Sequence, residues 1–342
     1  MHRRLISCAL VVVALMSWST AVASAHPGDK ASETANSVTR VAPPIQGEVQ
    51  TRAIKTRDGS YATTSAHTTT SAPANSRGKL AFASTQSSKT LTIGLPAEIA
   101  QTDAVLASDG SVVYGSDSGT SSIVVQGFTN GVRMSTTLAS KDAGTSFSYP
   151  LDLQKGSRIE VQDNGSVLVV GPDGSFLGGL LAPWSKDRNG ASVPTHYEVH
   201  GNSIIQVIDG NPAALAYPVV ADPYFFIDLI DSWAWQYNSG QGYSDHVHPT
   251  AWATANWYNL AVAEYGWEEL VHKDTPHSGW LNTPSMHMQY DCHQVAAVVV
   301  WITGHATYDL DTYRPYASLS TNIRYLCNPP VGSGGGGAGG GF

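Results

Sequence analysis

Between about residues 89 and 223, short runs of β-branched and other apolar residues alternate with polar turns, as in "RIEVQDNGSVLVVGPDGSFLGG". The turn dipeptides are Asp109-Gly110, Asn164-Gly165, Asp173-Gly174 and Gly201-Asn202. Such dipeptides supply the positive φ angles that tight hairpins need. The pattern predicts a β-rich antiparallel meander or roll over residues 89–223.

A helical period appears near residue 249, in "PTAWATANWYNLAVAEYGWEELVHK". Leu260, Ala263, Trp267 and Leu270 recur at spacings of three or four and, taken with Asn256, mark one buried stripe. Pro249 suits the first turn of a helix, so we expect one helix from about Pro249 to Lys273. The β-branched run "VAAVVVWIT" follows at 295–303. Residues 224–330 are therefore predicted to form a small α+β domain.

The segments outside these regions show neither period. Residues 26–88 are rich in Ser, Thr, Ala and Pro, as in "YATTSAHTTTSAPANSRGK". This composition offers little apolar surface to offset the entropy cost of ordering. We expect a disordered linker at 26–88 and a flexible Gly-rich tail at 331–342.

Residues 1–25 have the pattern of a signal peptide. Arg3 and Arg4 precede the apolar run Leu5 to Met16, and small residues follow up to Ala25, where we expect cleavage. No later segment reaches about 20 consecutive apolar residues. The sequence predicts a secreted, extracellular protein without a stable membrane anchor.

The charge distribution argues against nucleic acid as a partner. Residues 89–222 contain 7 Lys and Arg against 13 Asp and Glu, and residues 223–330 contain 3 against 10. Nucleic-acid binding depends on Lys and Arg that neutralise phosphates. We therefore expect no nucleic-acid partner.

Two cysteines, Cys292 and Cys327, remain after removal of residues 1–25. An even number of cysteines in an oxidising compartment favours a disulfide, so we predict a Cys292–Cys327 bridge that closes the C-terminal domain. A bridged cysteine cannot act as a thiolate nucleophile. Cys292 and His293 are therefore not expected to form a catalytic dyad.

The region before residue 224 resembles a known kind of module. "PWSKDRNGASVPTHYEVHGNSIIQVI" followed by "YPVVADP" at 217–223 resembles a β-rich module of secreted actinobacterial proteins, over about residues 105–223. Different C-terminal regions follow that module in its relatives. The resemblance implies a carrier, pro-region or chaperone-like role and identifies no reaction.

Residues 230–330 resemble a second secreted actinobacterial domain, one of unknown function. The matching elements follow a Trp-rich helix: "NTPSM" at 282–286, Cys292-His293, Arg314-Pro315 and Cys327-Asn328-Pro329. The sequence departs from the family at 308–311, where "YDLD" replaces a frequent Trp-Asn-Leu-Glu. The resemblance implies no activity that can be transferred.

His246 and His248 are candidate metal ligands, because an H-x-H pair on a strand places both rings on one face. His287, His293 or Asp291 would have to complete a zinc site. Their spacing in the sequence is unlike that of known zinc motifs. We therefore expect no metal and no cofactor, with zinc as the alternative.

Catalysis has three candidate residues, His287, His293 and Asp291, which could form a His–Asp acid/base pair with Ser285 as the nucleophile. Ser285 lacks the Gly-x-Ser-x-Gly context that presents a nucleophilic hydroxyl. An enzyme is therefore less favoured than a binding protein.

Seven of the nine tryptophans fall between residues 233 and 301. Trp257, Trp267 and Trp301 are expected in the core, because each buried aromatic contributes about 150–250 Å² of apolar surface. Trp233, Trp235 and Trp280 are the candidates for a binding surface.

These expectations favour a secreted protein that interacts with bacterial cell envelopes. Its foremost form is an antagonistic, bacteriocin-like effector whose C-terminal domain is the active part. The first alternative is a non-catalytic protein that binds wall glycans. The second is a His/Asp-dependent or zinc hydrolase of wall polymers.

Overall fold

The computed structural model describes residues 26–43, 45, 47–99, 101–115, 119–296 and 307–331. Over these residues most of the chain is β-rich, and a small α+β part closed by a disulfide follows, as the hydrophobic pattern predicted. The predicted signal peptide, the run at 295–303 beyond residue 296, Trp301 and the Gly-rich tail beyond residue 331 lie outside the described residues. Among the described helices, none has the length and apolar character to cross a membrane.

The segment predicted to be a disordered linker is folded. It begins with helix α1 (Pro27–Val41), and five antiparallel strands follow: β1 (Ile54–Lys55), β2 (Tyr61–Thr64), β3 (Thr68–Ala72), β4 (Lys79–Ser84) and β5 (Thr90–Gly94). The prediction of disorder was wrong because alternate positions of these Ser/Thr-rich strands are buried. Leu80 and Phe82 are fully buried in the main core, and Thr68 and Thr70 are buried on the neighbouring strand.

The central part of the chain contributes fourteen described strands. They are β6 (Val105–Leu106), β7 (Val112–Tyr114), β8 (Ser121–Gly127), β9 (Gly131–Leu138), β10 (Ser146–Pro150), β11 (Arg158–Val161), β12 (Val167–Val170), β13 (Phe176–Leu180), β14 (Ser185–Lys186), β15 (Ser192–Val193), β16 (Thr195–His200), β17 (Ser203–Ile208), β18 (Val219–Ala221) and β19 (Tyr224–Phe226). β10, β17 and β16 form a small sheet, and the others form a large sheet in the order β11-β12-β13-β19-β9-β18-β14-β15, which β6, β7 and β8 join at β9.

The four predicted hairpin turns are confirmed. Gly110, Gly165, Gly174 and Gly201 all have positive φ angles. They connect β6 to β7, β11 to β12, β12 to β13 and β16 to β17, and each of these pairs is antiparallel. Local turn chemistry therefore determines these hairpins.

The boundary placed after Pro223 needs correction. Tyr224, Phe225 and Phe226 form β19, which lies between β13 and β9 in the large sheet. All three side chains are fully buried. The β-rich module therefore extends through Phe226, because this strand completes the middle of its sheet.

The C-terminal part contains three strands and five described helices. The strands are β20 (Ile230–Asn238), β21 (Gly242–Pro249) and β22 (Tyr308–Asp311), in the order β20-β21-β22. The helices are α2 (Ala251–Ala255), α3 (Leu260–Lys273), α4 (Ser278–Leu281), α5 (Pro284–Val295) and α6 (Leu319–Arg324), with a short 3-10 helix at Thr275–His277; another 3-10 helix, Pro212–Ala214, lies in the β-rich module. One face of the sheet packs against α3 and α5 around Val247, Trp267, Tyr290 and Leu310.

The single helix predicted from Pro249 to Lys273 is two helices. The side chain of Asn256 accepts hydrogen bonds from Ser166 Oγ at 2.6 Å and Asn164 Nδ2 at 3.2 Å. Asn259 then caps α3 by accepting from the amide of Ala261. These contacts end α2 against the β-rich module and leave Leu260 61% exposed.

The two parts of the chain share a hydrophobic core at α2. Trp252 is fully buried among Leu168, Val170 and Phe176 of the β-rich module. Its indole N–H donates to the carbonyl oxygen of Leu180 at 2.8 Å. Trp252 is therefore a packing residue that joins the two parts.

A buried cluster of charges lies at the same junction. The Glu269 carboxylate is 2.5 Å from Lys89 Nζ and 2.8 Å from Lys273 Nζ. Both lysines also lie within 3.5 Å of Asp228. Burial alone would raise the pKa of Glu269, but the two ammonium groups hold it below its usual value. Lys89 comes from the β-rich module, so this cluster connects the module to α3.

We expect Glu269→Gln to destabilise the protein by roughly 3–5 kcal/mol, because it removes the nearer of the two carboxylates that neutralise the two lysines. Urea unfolding near pH 7 measures the change. The effect should shrink as the pH falls below the ordinary carboxyl value of 4.5, since the stability contributed by a carboxylate with a lowered pKa is lost on acidification. Glu268→Gln, an exposed neighbour on α3, should change stability by less than about 0.5 kcal/mol. Equal effects of the two variants would contradict the assigned role of the cluster.

The predicted Cys292–Cys327 bridge is present, and its two cysteines are separated by 35 positions in the sequence. It ties α5 to the segment that follows α6.

Replacing both cysteines by serine should lower the free energy of unfolding by about 3–4 kcal/mol, because the unfolded chain gains entropy when the loop is no longer closed. Urea titration of the variant and of the reduced native chain checks this value, and mass spectrometry of alkylated, non-reduced peptides should find neither thiol free.

Candidate functional site

An aromatic surface lies at the end of the β20–β21 hairpin. We define it by Trp235, Tyr237, Tyr243, His277 and Trp280. Tyr237 pairs with Tyr243 across the two strands, and residues opposite each other in an antiparallel pair project to the same face. Trp280 belongs to α4 and His277 to the preceding 3-10 helix. The surface is thus assembled from two separate parts of the chain.

The rings form a continuous series of contacts. Tyr243 and Trp280 stack, with centroids 4.8 Å apart and planes inclined by 19°. Tyr237 extends the series at 5.1 Å from Tyr243, and Trp235 lies 6.0 Å from Trp280 in an edge-on arrangement. His277 contacts both tryptophan rings. Their joint packing orients the rings before any ligand arrives.

Three of these rings face solvent. Tyr237 is 60% exposed, Trp280 49% and Tyr243 38%. Trp235 is half-buried and packs against the core of the C-terminal part. A row of exposed rings fixed at one end to the core is suited to a flat, partly apolar ligand.

Asp274 holds the inner end of the aromatic surface. Its carboxylate accepts a hydrogen bond from Trp235 Nε1 at 2.6 Å and lies 2.7 Å from His277 Nδ1. The Asp274 side chain is buried directly after the last turn of α3. One buried carboxylate therefore orients two of the five rings.

A second buried carboxyl group, Asp245, lies behind the surface. Asp245 pairs with Trp235 across the hairpin and is fully buried. Neither of its oxygens makes a hydrogen bond of normal geometry, although the Ala234 amide favours its charged form. Burial, together with the negative charge of Asp274, raises the pKa of Asp245 to about 7, and His246 and His277 oppose the shift.

The structure brings together two of the three predicted binding residues, Trp235 and Trp280. Trp233 shares their face of the sheet but is half-buried against the core. Sequence reasoning missed Tyr237 and Tyr243. The available signal was an aromatic at every second position in "WAWQY" followed by the turn "NSGQG", which is typical of one face of a hairpin.

The catalytic candidates His287 and Asp291 lie together on α5, facing α3. His287 Nε2 is 3.4 Å from Glu264 and 3.5 Å from Asp291, and its ring stacks on Trp267 at 4.7 Å. Burial raises the pKa of Asp291, and Glu264 adds to that shift. His287 and Glu264 line an open groove of about 530 Å³.

The remaining catalytic candidates have structural contacts. His293 is buried, which lowers its pKa to about 4, and its ring stacks on Tyr308. Its Nε2 lies 3.2 Å from the Asp309 carbonyl oxygen. Ser285 Oγ donates to the Arg314 carbonyl at 2.8 Å. A Ser–His nucleophile pair is therefore not assembled from these described residues.

The metal candidates His246 and His248 lie two positions apart on β21. They occupy the face of the sheet opposite to that of Val247, which packs against the helices. His246 Nδ1 is 2.7 Å from Asp309 Oδ1. In the described part of the chain, no group of three or more metal-ligating side chains is placed to bind a metal ion.

The protonation of Asp245 predicts an unusual pH dependence of stability. Its folded pKa of about 7 exceeds the ordinary 3.8, so the folded state keeps a proton that the unfolded state releases, and stability falls as the pH rises between these values. Asp245→Asn removes the titrating group and with it the fall in stability at higher pH. It should stabilise the protein near pH 8, by no more than about 4 kcal/mol, and have little effect near pH 3. Urea unfolding across this range checks the prediction, and an equal effect at both ends would contradict it.

Comparison with known proteins identifies the C-terminal part only. Residues 230–330 match DUF2599, a family described as a protein of unknown function. No curated protein and no solved structure matches the chain. The matched region begins at the first residue of β20 and includes the aromatic surface and both bridged cysteines. The chain thus carries a DUF2599 domain at residues 230–330, which confirms the predicted resemblance to a domain of unknown function.

Proposed function

We propose that this protein is exported and binds a saccharide of the bacterial cell envelope through the aromatic surface. The observation that carries the proposal is the row of exposed rings formed by Tyr237, Tyr243 and Trp280. The C–H faces of sugar rings are apolar, and aromatic side chains offer flat apolar area with polar edges. A row of three rings matches an extended polymer better than a small compact ligand.

Preorganisation supports this function. Tyr243 and Trp280 support each other by stacking, and Asp274 fixes Trp235 and His277. Binding loses less affinity when the contacting side chains are already ordered. The rings can therefore accept a ligand at a low entropy cost.

The geometry favours binding over hydrolysis at this surface. Asp245 and Asp274 are both buried behind the rings. A general acid must come within hydrogen-bonding reach of the bond that breaks, about 2.6–3.2 Å. Buried carboxyls behind an aromatic layer are poorly placed for that role.

The signal-peptide pattern at residues 1–25 supports export. The acidic charge of residues 223–330 supplies no electrostatic attraction to an anionic wall. Recognition through ring stacking is compatible with an acidic domain, because stacking does not depend on basic residues. Antagonism towards other bacteria would be a consequence of such binding and needs its own test.

Sedimentation of the full chain with isolated bacterial cell walls tests the proposal. The double variant Tyr243→Ala/Trp280→Ala should bind at least about fivefold more weakly, since each lost ring contact costs about 0.5–1.5 kcal/mol. The matched control is Tyr258→Ala, which removes an aromatic ring that is 42% exposed elsewhere in the same domain. This control should bind walls like the native protein.

Failure of the native chain to sediment with walls, or an equal loss in the control, would refute the proposal. Growth of live bacteria with added protein tests antagonism separately. Release of soluble wall fragments by the native chain would instead favour the hydrolase.

A further inference from the structure

We infer that the aromatic surface selects a saccharide that carries a substituted ammonium group. This inference rests on the proposed function and deepens it by naming the chemical class of the ligand. The first observation is the set of rings itself. Trp and Tyr faces attract cations through their quadrupoles, and clustered rings recognise alkylated ammonium groups in this way.

The second observation is the unpartnered carboxyl group behind the rings. Asp245 is fully buried, its oxygens make no hydrogen bond of normal geometry, and the only donor among the described residues that acts on it is the backbone amide of Ala234. Its cross-strand partner is Trp235, so its side chain projects to the face that bears the rings. A buried acid without a partner costs stability, so its position directly behind a solvent-facing aromatic cluster points to a cationic ligand.

The groups around Asp245 leave a negative field at this position. The charged and titratable groups that act on it are Asp274 from the end of α3, His277 from the 3-10 helix and His246 from its own strand. Among the ion pairs of the described residues, none joins a lysine or arginine to Asp245 or Asp274. Two carboxyl groups in a low-dielectric environment therefore lie beside the rings without a lysine or arginine partner among the described residues.

This arrangement contrasts with that of two other buried acids. Glu269 and Asp228 each lie within 3.5 Å of two lysines. Ion pairs thus neutralise these two carboxylates. Asp245 has no lysine or arginine partner among the described residues, so a cationic ligand would supply its counter-charge.

Competition for wall binding tests the inference at about pH 8, where Asp245 is largely ionised. Choline is the cationic probe, and 3,3-dimethylbutan-1-ol is its neutral probe of nearly equal shape. We expect choline to displace the protein from walls at about five- to tenfold lower concentration than the neutral alcohol.

Asp245→Asn should bring the two probes to within about twofold of each other, because it removes charge and keeps shape. Glu268→Gln removes the same charge from an exposed site of the domain and should leave the preference for choline unchanged. Circular dichroism establishes that both variants are folded. If a variant does not fold, the comparison of choline with the neutral alcohol on the native chain still tests the preference for a cation.

Acetylation of the walls distinguishes the source of the ammonium group. It neutralises the primary amines of amino sugars and aminoacyl esters and leaves quaternary ammonium groups intact. Loss of binding after acetylation supports a primary ammonium. Binding that survives acetylation and remains sensitive to choline supports a quaternary one.

Two results would overturn the inference in distinguishable ways. Wall binding that survives acetylation and responds equally to choline and to the neutral alcohol would refute the ammonium preference and leave saccharide binding intact. Absence of wall binding by the native chain would refute both the proposed function and this inference.

Discussion

The carboxylate of Glu269 is the interaction on which the position of the candidate site depends. It accepts hydrogen bonds from the amides of Leu229 and Ile230 and pairs with Lys89 and Lys273. These contacts fix α3 against the first residues of β20 and against the β-rich module. The end of α3 in turn places Asp274, which orients Trp235 and His277. The geometry of the aromatic surface therefore depends on a buried ion cluster in the last turns of α3, directly before Asp274.

Two buried carboxyl groups have opposite pKa shifts because their surroundings differ. Glu269 has two ammonium partners and two backbone donors, so its charge stabilises the fold. Asp245 has no ammonium partner among the described residues, and burial raises its pKa. A buried charge that the protein leaves uncompensated reduces stability and makes a cationic ligand favourable. The cost of burying a carboxylate is therefore offset by ion pairs at Glu269 and is not offset by them at Asp245.

The histidines of the C-terminal domain each have their own local contacts. The ring of His293 stacks on Tyr308, that of His287 stacks on Trp267, and His246 pairs with Asp309. Each ring contributes to local packing or pairing, and of the catalytic candidates only His287 and Asp291 lie together. A high density of histidine in the sequence therefore reflects several local environments here.

Sequence alone determined the features that depend on neighbouring residues or on covalent chemistry. The hairpins at Asn164-Gly165 and Asp173-Gly174 follow from the backbone freedom of glycine, and the Cys292–Cys327 bridge follows from cysteine count. Tertiary structure decided the rest. The strands between Tyr61 and Ser84 are ordered because other strands cover their few apolar residues, which composition does not reveal. The aromatic surface likewise required the register of β20 on β21 and the approach of α4, because Tyr243 and Trp280 are distant in the chain and meet only in the folded protein.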